Sequence, residues 1–148
     1  MWVFFNIYLH RPILQMIEWD DKFSFGISMI DEEHRKVIDA INKAFVAMKQ
    51  NYNPEAFKEL LKEMTNYALT HFATEETYMI KFKYSGYKYH KKEHHDFTMI
   101  TIANLRKVDK GDDQRINDNL LYIIGWLLNH IQGTDRKYID CFKKNGLK

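Results

Sequence analysis

Apolar residues recur at steps of three and four positions along most of the chain, with polar residues between them. This spacing is typical of amphipathic helices, which bury one face and expose the other. Breaks near Pro54, Gly86 and Gly111 divide the pattern into four segments joined by short connections. The pattern predicts an all-α, up-down-up-down four-helix bundle over residues 16–148, preceded by an N-terminal extension, or arm, of residues 1–15.

Helix boundaries are predicted from the residues that flank each segment. Residues suited to capping helix N-termini precede three of the segments: Ser28 and Asp31, then Asn53, then Asp112 or Asp113. The second helix should run to about Phe82. The fourth should continue from Ile116 as one helix through Asp135 to Phe142.

Composition favours one compact domain and excludes several classes of function. A chain of 148 residues, 45% hydrophobic with two prolines and six glycines, suits a single helical core. The 22 basic and 20 acidic residues are interspersed, so no concentrated field favours a nucleic-acid partner. Because Cys141 is the single cysteine, an intrachain disulfide and a thiolate cluster are excluded, and a reducing, cytoplasmic location is the simplest expectation.

The arm begins with an apolar stretch, residues 2–9, that Asn6 interrupts. This stretch is too short to span a bilayer, and it has neither the preceding positive charge nor the small-residue cleavage site of a secretory signal. We therefore expect no membrane span. The arm either packs on the bundle or protrudes from it, unless Met16 marks the natural start of the domain.

Histidines occupy the inward stripe of every predicted helix. One such histidine is more often a hydrogen-bonded core residue than a ligand, but five converging imidazoles need a partner for every ring nitrogen, which a metal provides. Glu75 follows His71 by four residues, on the same helix face, and Asp135 follows His130 by five. The candidate metal ligands are therefore seven side chains: His34, His71, Glu75, His90, His94, His130 and Asp135.

The step from His130 to Asp135 does not suit a regular helix, because five residues leave the two side chains about 140° apart. We therefore predict a widened, π-type turn between them, at Gln132, Gly133 and Thr134. Without this distortion, Asp135 would only solvate the helix surface.

The ligand types leave the metal open, because nitrogen and oxygen donors without thiolate fit iron, manganese, zinc or copper. Seven protein ligands exceed the need of one ion and favour two ions bridged by the carboxylates. Ferritin-like di-iron enzymes are disfavoured, because no glutamate in this chain has a histidine three residues later.

From Ile17 to the C-terminus the sequence resembles the hemerythrin family, specifically its bacterial members. The segments that carry the resemblance are Trp19, Phe25-Gly26-Ile27, Ile30-Asp31-Glu32-Glu33-His34, His71-Phe72-Ala73-Thr74-Glu75, His90 with His94, and His130 with Asp135. The resemblance implies two non-haem iron ions with a bridging oxo or hydroxo group. It also implies a ligand assignment: His90, His94 and His130 on one ion, His34 and His71 on the other, and Glu75 and Asp135 bridging both.

The function implied by the resemblance is reversible dioxygen binding at the iron held by His34 and His71, for oxygen carriage, storage or delivery to an oxygen-consuming enzyme. Phe72, Trp126 and Leu127 match family positions near the iron held by His34 and His71, which would have the free coordination position. Apolar side chains there would keep the site dry, although core packing would equally explain each of them. We expect no enzymatic activity. Two alternatives stay open: a di-iron enzyme acting on peroxide, nitric oxide or dioxygen, and an oxygen or redox sensor.

Other polar residues near the motifs are expected outside the ligand set. His95 points about 100° away from His94 around the helix and should be exposed, as should the neighbouring Lys92 and Glu93. Tyr138, one turn beyond Asp135, can donate a hydrogen bond to the site.

Overall fold

Four long helices make up most of the protein in the computed structural model, which describes residues 16–50, 53–112, 114 and 116–148. They are α1 (Ser28–Lys49), α2 (Pro54–Lys81), α3 (Tyr87–Asp109) and α4 (Ile116–Gln132). A 3₁₀ turn (Asp135–Tyr138) and a short helix α5 (Ile139–Lys144) complete the described chain, which has no strand. The predicted all-α four-helix bundle is confirmed. The predicted arm, residues 1–15, lies outside the described residues.

The bundle closes around one core. Helix α1 packs against α2, α2 packs against α3, and α4 contacts the other three. Each helix contributes buried apolar side chains to this core: Ile41, Leu61, Phe97 and Ile123, one from each helix, are at most 1% exposed. In the described part of the chain, no helix has both the length and the apolarity needed to cross a membrane.

Helix α2 begins as its sequence predicts. The Asn53 side chain accepts hydrogen bonds from the backbone N–H groups of Glu55 and Ala56, and Pro54 occupies the first helical position. This cap satisfies two donors that the first turn would otherwise leave unpaired, and proline lacks the third. The helix ends at Lys81, within one residue of the predicted end.

Helix α1 begins differently from the prediction. Ser28 and Asp31 do not cap it: the helix starts at Ser28 after Ile27, and no side chain caps its N-terminus. Asp31 lies inside the first turn, and its carboxylate accepts hydrogen bonds from the backbone N–H groups of Phe25 and Gly26. It therefore fixes the segment that leads into α1. For α4, the alternative cap Asp113 lies outside the described residues.

The predicted π-type widening after His130, and the continuation of the fourth helix, are both wrong. Helix α4 ends at Gln132, residues 133–134 form a turn, and Asp135 opens the 3₁₀ turn. A Cβ atom at Gly133 would lie 3.0 Å from the Asn129 carbonyl oxygen, so glycine suits this tight break. The break turns Asp135 inward, and His130 Nε2 lies 2.9 Å from Asp135 Oδ1.

Candidate metal centre

All seven predicted ligand side chains meet in the interior, towards one end of the bundle. His34 lies in the second turn of α1, His90 in the first turn of α3 and His130 in the last turn of α4, so the meeting point is close to the end where these turns converge. The seven residues are at most 4% exposed. The bundle therefore excludes bulk water from a strongly polar cluster.

The donor atoms of this cluster form two overlapping groups, in each of which all atoms lie within 4.8 Å of one another. One group contains His90, His94 and His130, called here the histidine trio, together with Glu75 and Asp135. The other group contains His34 and His71, called here the histidine pair, together with the same two carboxylates. The geometry thus places two shared carboxylates between two sets of imidazoles.

Glu75 turns one oxygen to each side. Its Oε1 lies 3.2 Å from Nε2 of His71, which belongs to the histidine pair. Its Oε2 lies 3.4 Å from Nε2 of His90 and 3.2 Å from Nε2 of His94, which belong to the trio.

Asp135 is divided in the same way. Its Oδ2 lies 3.8 Å from His34 Nε2 and 3.7 Å from His71 Nε2. Its Oδ1 lies 3.1 Å from His90 Nε2 and 2.9 Å from His130 Nε2. Both carboxylates therefore have the arrangement that two bridging ligands would need.

Several nitrogen and oxygen atoms of the cluster that could bind a metal are buried without a hydrogen-bond partner among the described residues. They are His34 Nε2, His71 Nε2, Glu75 Oε2 and both carboxylate oxygens of Asp135. Burying unpaired polar atoms is costly, and each of these atoms, in its deprotonated form, has a lone pair that a cation can use. Nitrogen and oxygen donors without thiolate suit non-haem iron, so the residues present fit such a cofactor.

The electrostatics of the cluster also suit cations. Burial and the charge of Glu75 act to raise the pKa of Asp135, but His130 and the other imidazoles outweigh both and hold it far below its usual range. The pKa of Glu75 is likewise lowered, because His71, His90 and His94 outweigh its burial. Both shared carboxylates are therefore ionised at neutral pH.

Aromatic rings form a wall beside the cluster. Phe72 stacks on the His94 ring at a centroid distance of 3.8 Å, and Trp126 stacks on His130 at 4.4 Å. Leu127 is buried on the same helix as Trp126. The strongest ring contacts of this predicted oxygen pocket are thus with the histidine trio, while Phe72 lies 6.2 Å from the ring of His71 in the pair.

Tyr138 reaches the cluster from the 3₁₀ turn. Its hydroxyl donates a 2.5 Å hydrogen bond to Glu75 Oε1, and the side chain is fully buried. The predicted donor is therefore in contact with a shared carboxylate. His95, the neighbour of His94, is exposed as expected.

Sequence reasoning missed a further set of groups, which hydrogen-bond the outward ring nitrogens of four histidines. Three are glutamates: Glu33 on His71, Glu76 on His94 and Glu93 on His130, each at 3.0 Å from Nδ1. The fourth is the Phe23 carbonyl oxygen, 3.0 Å from His34 Nδ1. Glu93 is exposed, as predicted, but its carboxylate also contacts His130, which was not predicted. The available indication was that each glutamate adjoins a candidate ligand in the sequence.

Comparison with known proteins identifies related sequences over most of the chain. The family profile described as the Hemerythrin HHE cation binding domain matches residues 26–142. A bacteriohemerythrin of Clostridium acetobutylicum is 33% identical over 129 residues, covering 84% of this chain and 100% of that protein. A bacteriohemerythrin of Stenotrophomonas maltophilia is 32% identical over 131 residues, covering 88% of this chain and 84% of that protein.

The fold agrees with these matches. The crystal structure of a wild-type hemerythrin superposes on this chain with a TM-score of 0.78 and 26% sequence identity, covering 86% of this chain and 98% of that one. A leucine-to-alanine variant of hemerythrin superposes with a TM-score of 0.79 at 25% identity. The profile match spans the bundle from before α1 into α5 and includes all seven clustered side chains. The chain belongs to the hemerythrin family.

Proposed function

We propose that this protein binds dioxygen reversibly at a pair of non-haem iron ions, for oxygen carriage, storage or delivery. The histidine trio would hold one ion, the histidine pair the other, and Glu75 and Asp135 would bridge both, together with an oxo or hydroxo group. The observation that carries the proposal is the division of each carboxylate, one oxygen towards the pair and one towards the trio. A site for one ion has no need of that division.

The unequal number of histidines explains why a small ligand could be held. Two ferrous ions, when bound, supply the two electrons that reversible dioxygen binding requires. The trio with two carboxylates offers five protein ligands, whereas the pair with the same carboxylates offers four. The position beside His34 and His71 is therefore the one with room for an added ligand.

The chain's apolar residues would protect that position. Phe25 packs edge-to-face against the His34 ring with 4.6 Å between the ring centroids, and the Phe72 ring lies 6.2 Å from the His71 ring. Phe72 and Trp126 also stack on His94 and His130 of the trio, and Leu127 is buried in the core. Water or an external proton donor would favour irreversible oxidation, so their exclusion supports carriage. The proposed pocket is thus a barrier to water as well as part of the core.

Tyr138 is the observation that favours the second candidate, a di-iron enzyme acting on peroxide, nitric oxide or dioxygen. Its hydroxyl contacts Glu75, where a proton donor would be useful for turnover. However, burial, followed by the charges of Glu75 and Asp135, raises the pKa of Tyr138 well above its usual range. A hydroxyl that keeps its proton positions Glu75 and does not supply protons, so carriage is the better supported function.

The test is anaerobic loading with ferrous iron, analysis of iron per chain, and repeated cycles of air and argon followed by visible absorption. Carriage predicts two iron ions per chain and an absorption band that appears on aeration and disappears on purging over several cycles. Irreversible oxidation in the first cycle contradicts the proposal. Sustained consumption of an added reductant instead favours the enzyme.

Two neighbouring histidines on α3 provide a matched pair of variants. His94 is 2% exposed and belongs to the trio, whereas His95 is exposed. His94→Gln should reduce the iron content below that of the wild-type protein, and His95→Gln should leave it unchanged. Equal iron content in both variants would contradict the assignment of His94 as a ligand.

A further inference from the structure

Three glutamates outside the proposed ligand set connect neighbouring helices in chain order. Glu33 of α1 contacts His71 of α2, Glu76 of α2 contacts His94 of α3, and Glu93 of α3 contacts His130 of α4. In each case a carboxylate oxygen lies 3.0 Å from the imidazole Nδ1 atom. Each of the first three helices therefore holds an imidazole of the helix that follows it.

The same helix positions provide both the proposed ligand and the supporting carboxylate. Each glutamate directly adjoins a proposed ligand in the sequence: Glu33 with His34, Glu76 with Glu75, and Glu93 with His94. Adjacent side chains on a helix point about 100° apart. In each pair of adjacent residues, the proposed ligand can thus face the centre of the bundle while the supporting glutamate faces the groove next to the neighbouring helix.

An ionised carboxylate only accepts hydrogen bonds, so Nδ1 of its histidine partner must carry the proton. When the imidazole is neutral, a proton on Nδ1 leaves the Nε2 atom with a free lone pair directed into the cluster. The contact therefore selects the tautomer that a metal ligand needs.

Two of the three supporting glutamates, Glu33 and Glu93, are themselves held in place. Thr74 donates a 2.7 Å hydrogen bond to Glu33, and Thr134 donates a 2.9 Å hydrogen bond to Glu93. The side chain of Glu33 is 18% exposed and that of Glu93 is 47% exposed. These anchors orient the carboxylates before any metal binds, although neither side chain is fully buried.

The other two imidazoles of the cluster, those of His34 and His90, have no carboxylate on Nδ1, so only some of the histidines are supported by a carboxylate. His34 is hydrogen-bonded by the neutral carbonyl of Phe23, and His90 Nδ1 has no hydrogen-bond partner in the described part of the chain. The trio therefore has two carboxylate-supported histidines and the pair has one. Negative charge is added outside the ligands at three defined points.

We infer that Glu33, Glu76 and Glu93 are positioning residues that fix the tautomers of three histidines and lower the reduction potential of the proposed di-iron centre. The inference rests on the proposed function, because it requires two ions in the cluster. A carboxylate that accepts a hydrogen bond from Nδ1–H increases the electron density at Nε2, which makes the imidazole a stronger ligand to the iron. A stronger ligand of this kind favours the ferric over the ferrous state.

The test uses Glu33→Gln, Glu76→Gln and Glu93→Gln, since glutamine keeps an acceptor oxygen and the side-chain length but loses the charge. Glu32→Gln is the matched control, because Glu32 adjoins Glu33, is 69% exposed and pairs only with Lys36 in the described chain. Midpoint potentials come from anaerobic spectroelectrochemical titration of the iron-loaded proteins. Iron affinity comes from chelator competition.

Each of the three variants should have a higher midpoint potential than the control. A tenfold selective loss of ferric over ferrous binding corresponds to a rise of about 59 mV for a one-electron step. The corresponding alanine variants lose the acceptor as well, and their iron affinity should fall by about 10–100-fold.

A second readout avoids iron chemistry. In the zinc-loaded protein, which is diamagnetic, each Glu→Gln variant should shift the Nδ1–H proton resonance of its own partner, His71, His94 or His130, and leave the other two in place. Potentials and resonances equal to those of Glu32→Gln overturn the inference. Failure of the wild-type protein to hold two ions contradicts the proposed function instead, so the two failures are distinguishable.

Discussion

The metal-free protein should lose stability as the pH rises from about 7 to about 8.5. In this interval buried imidazoles of the folded protein still hold protons that the unfolded chain has released. Burial acts to lower the pKa of His130, but Asp135 and Glu93 outweigh it and raise this pKa from 6.5 to about 9. Against the same opposition from burial, Glu75 and Asp135 raise the pKa of His71 well above 6.5. In the unfolded chain both imidazoles titrate near their ordinary pKa.

The direction follows from which state binds more protons. Stabilisation by a raised imidazole pKa is complete below the unfolded pKa of 6.5 and is lost as the pH rises to the folded pKa, about 9 for His130. That interval corresponds to roughly 3 kcal/mol for His130. Within it, each imidazole that keeps its proton only in the folded state contributes a slope of about −1.4 kcal/mol per pH unit to the free energy of unfolding.

Other members of the cluster do not cancel this slope. Burial, followed by the charge of His71, lowers the pKa of His34, so its contribution changes below pH 6.5 and is constant above it. Asp135 and Glu75 have lowered pKa values, so their stabilisation is present at neutral pH and is lost only in acid. The pKa of His90 is raised, despite burial, and its contribution has the same sign as that of His130.

The assay is urea unfolding of chelator-treated protein, followed by circular dichroism at several pH values across this window. His130→Gln should make the slope less steep, by about 1.4 kcal/mol per pH unit, the share of one imidazole. His95→Gln, at an exposed position, should retain the wild-type slope. A free energy of unfolding that stays level or rises with pH in the wild-type protein would refute the reasoning.

Three substitutions test individual contacts by urea unfolding of the metal-free protein. Tyr138→Phe removes the buried donor to Glu75 and should cost about 1.5–3 kcal/mol. Phe72→Ala leaves a cavity beside His94 and should cost about 3–5 kcal/mol, and in the iron-loaded protein it should speed irreversible oxidation in air, measured by decay of the reversible absorption band. Asp31→Ala frees two backbone N–H groups and should cost about 1–3 kcal/mol. A loss below about 0.5 kcal/mol, the size typical of surface substitutions, would contradict each assignment.

The helices could be predicted because their determinants are local or periodic. Asn53 and Pro54 fix the start of α2 within one turn of chain, and no distant contact is needed. Along the same helix, Leu61 and Ala68 are both buried, because seven residues make almost two full turns and bring them to one face. The clustering of polar side chains follows equally, since an apolar stripe can direct them only into the common core.

The break after α4 could not be chosen from the sequence. A π-type widening and a helix break both solve the problem that a five-residue step between His130 and Asp135 poses. The structure breaks the helix, and Thr134, within the turn, donates a hydrogen bond to Glu93 of α3. That contact joins residues 41 positions apart, so no local pattern could indicate it.

The supporting glutamates illustrate a related limit. On its own helix Glu93 stands among exposed residues, and its contact with His130 depends on how α3 and α4 are aligned. Yet the position beside a ligand is not arbitrary: when His94 faces the centre, Glu93 is turned about 100° away, towards an adjoining helix. Rotating α3 by one residue would lose the ligand and the supporting carboxylate together. The inner and outer parts of the centre are therefore set by the same helix alignment, and a change in that alignment cannot preserve one without the other.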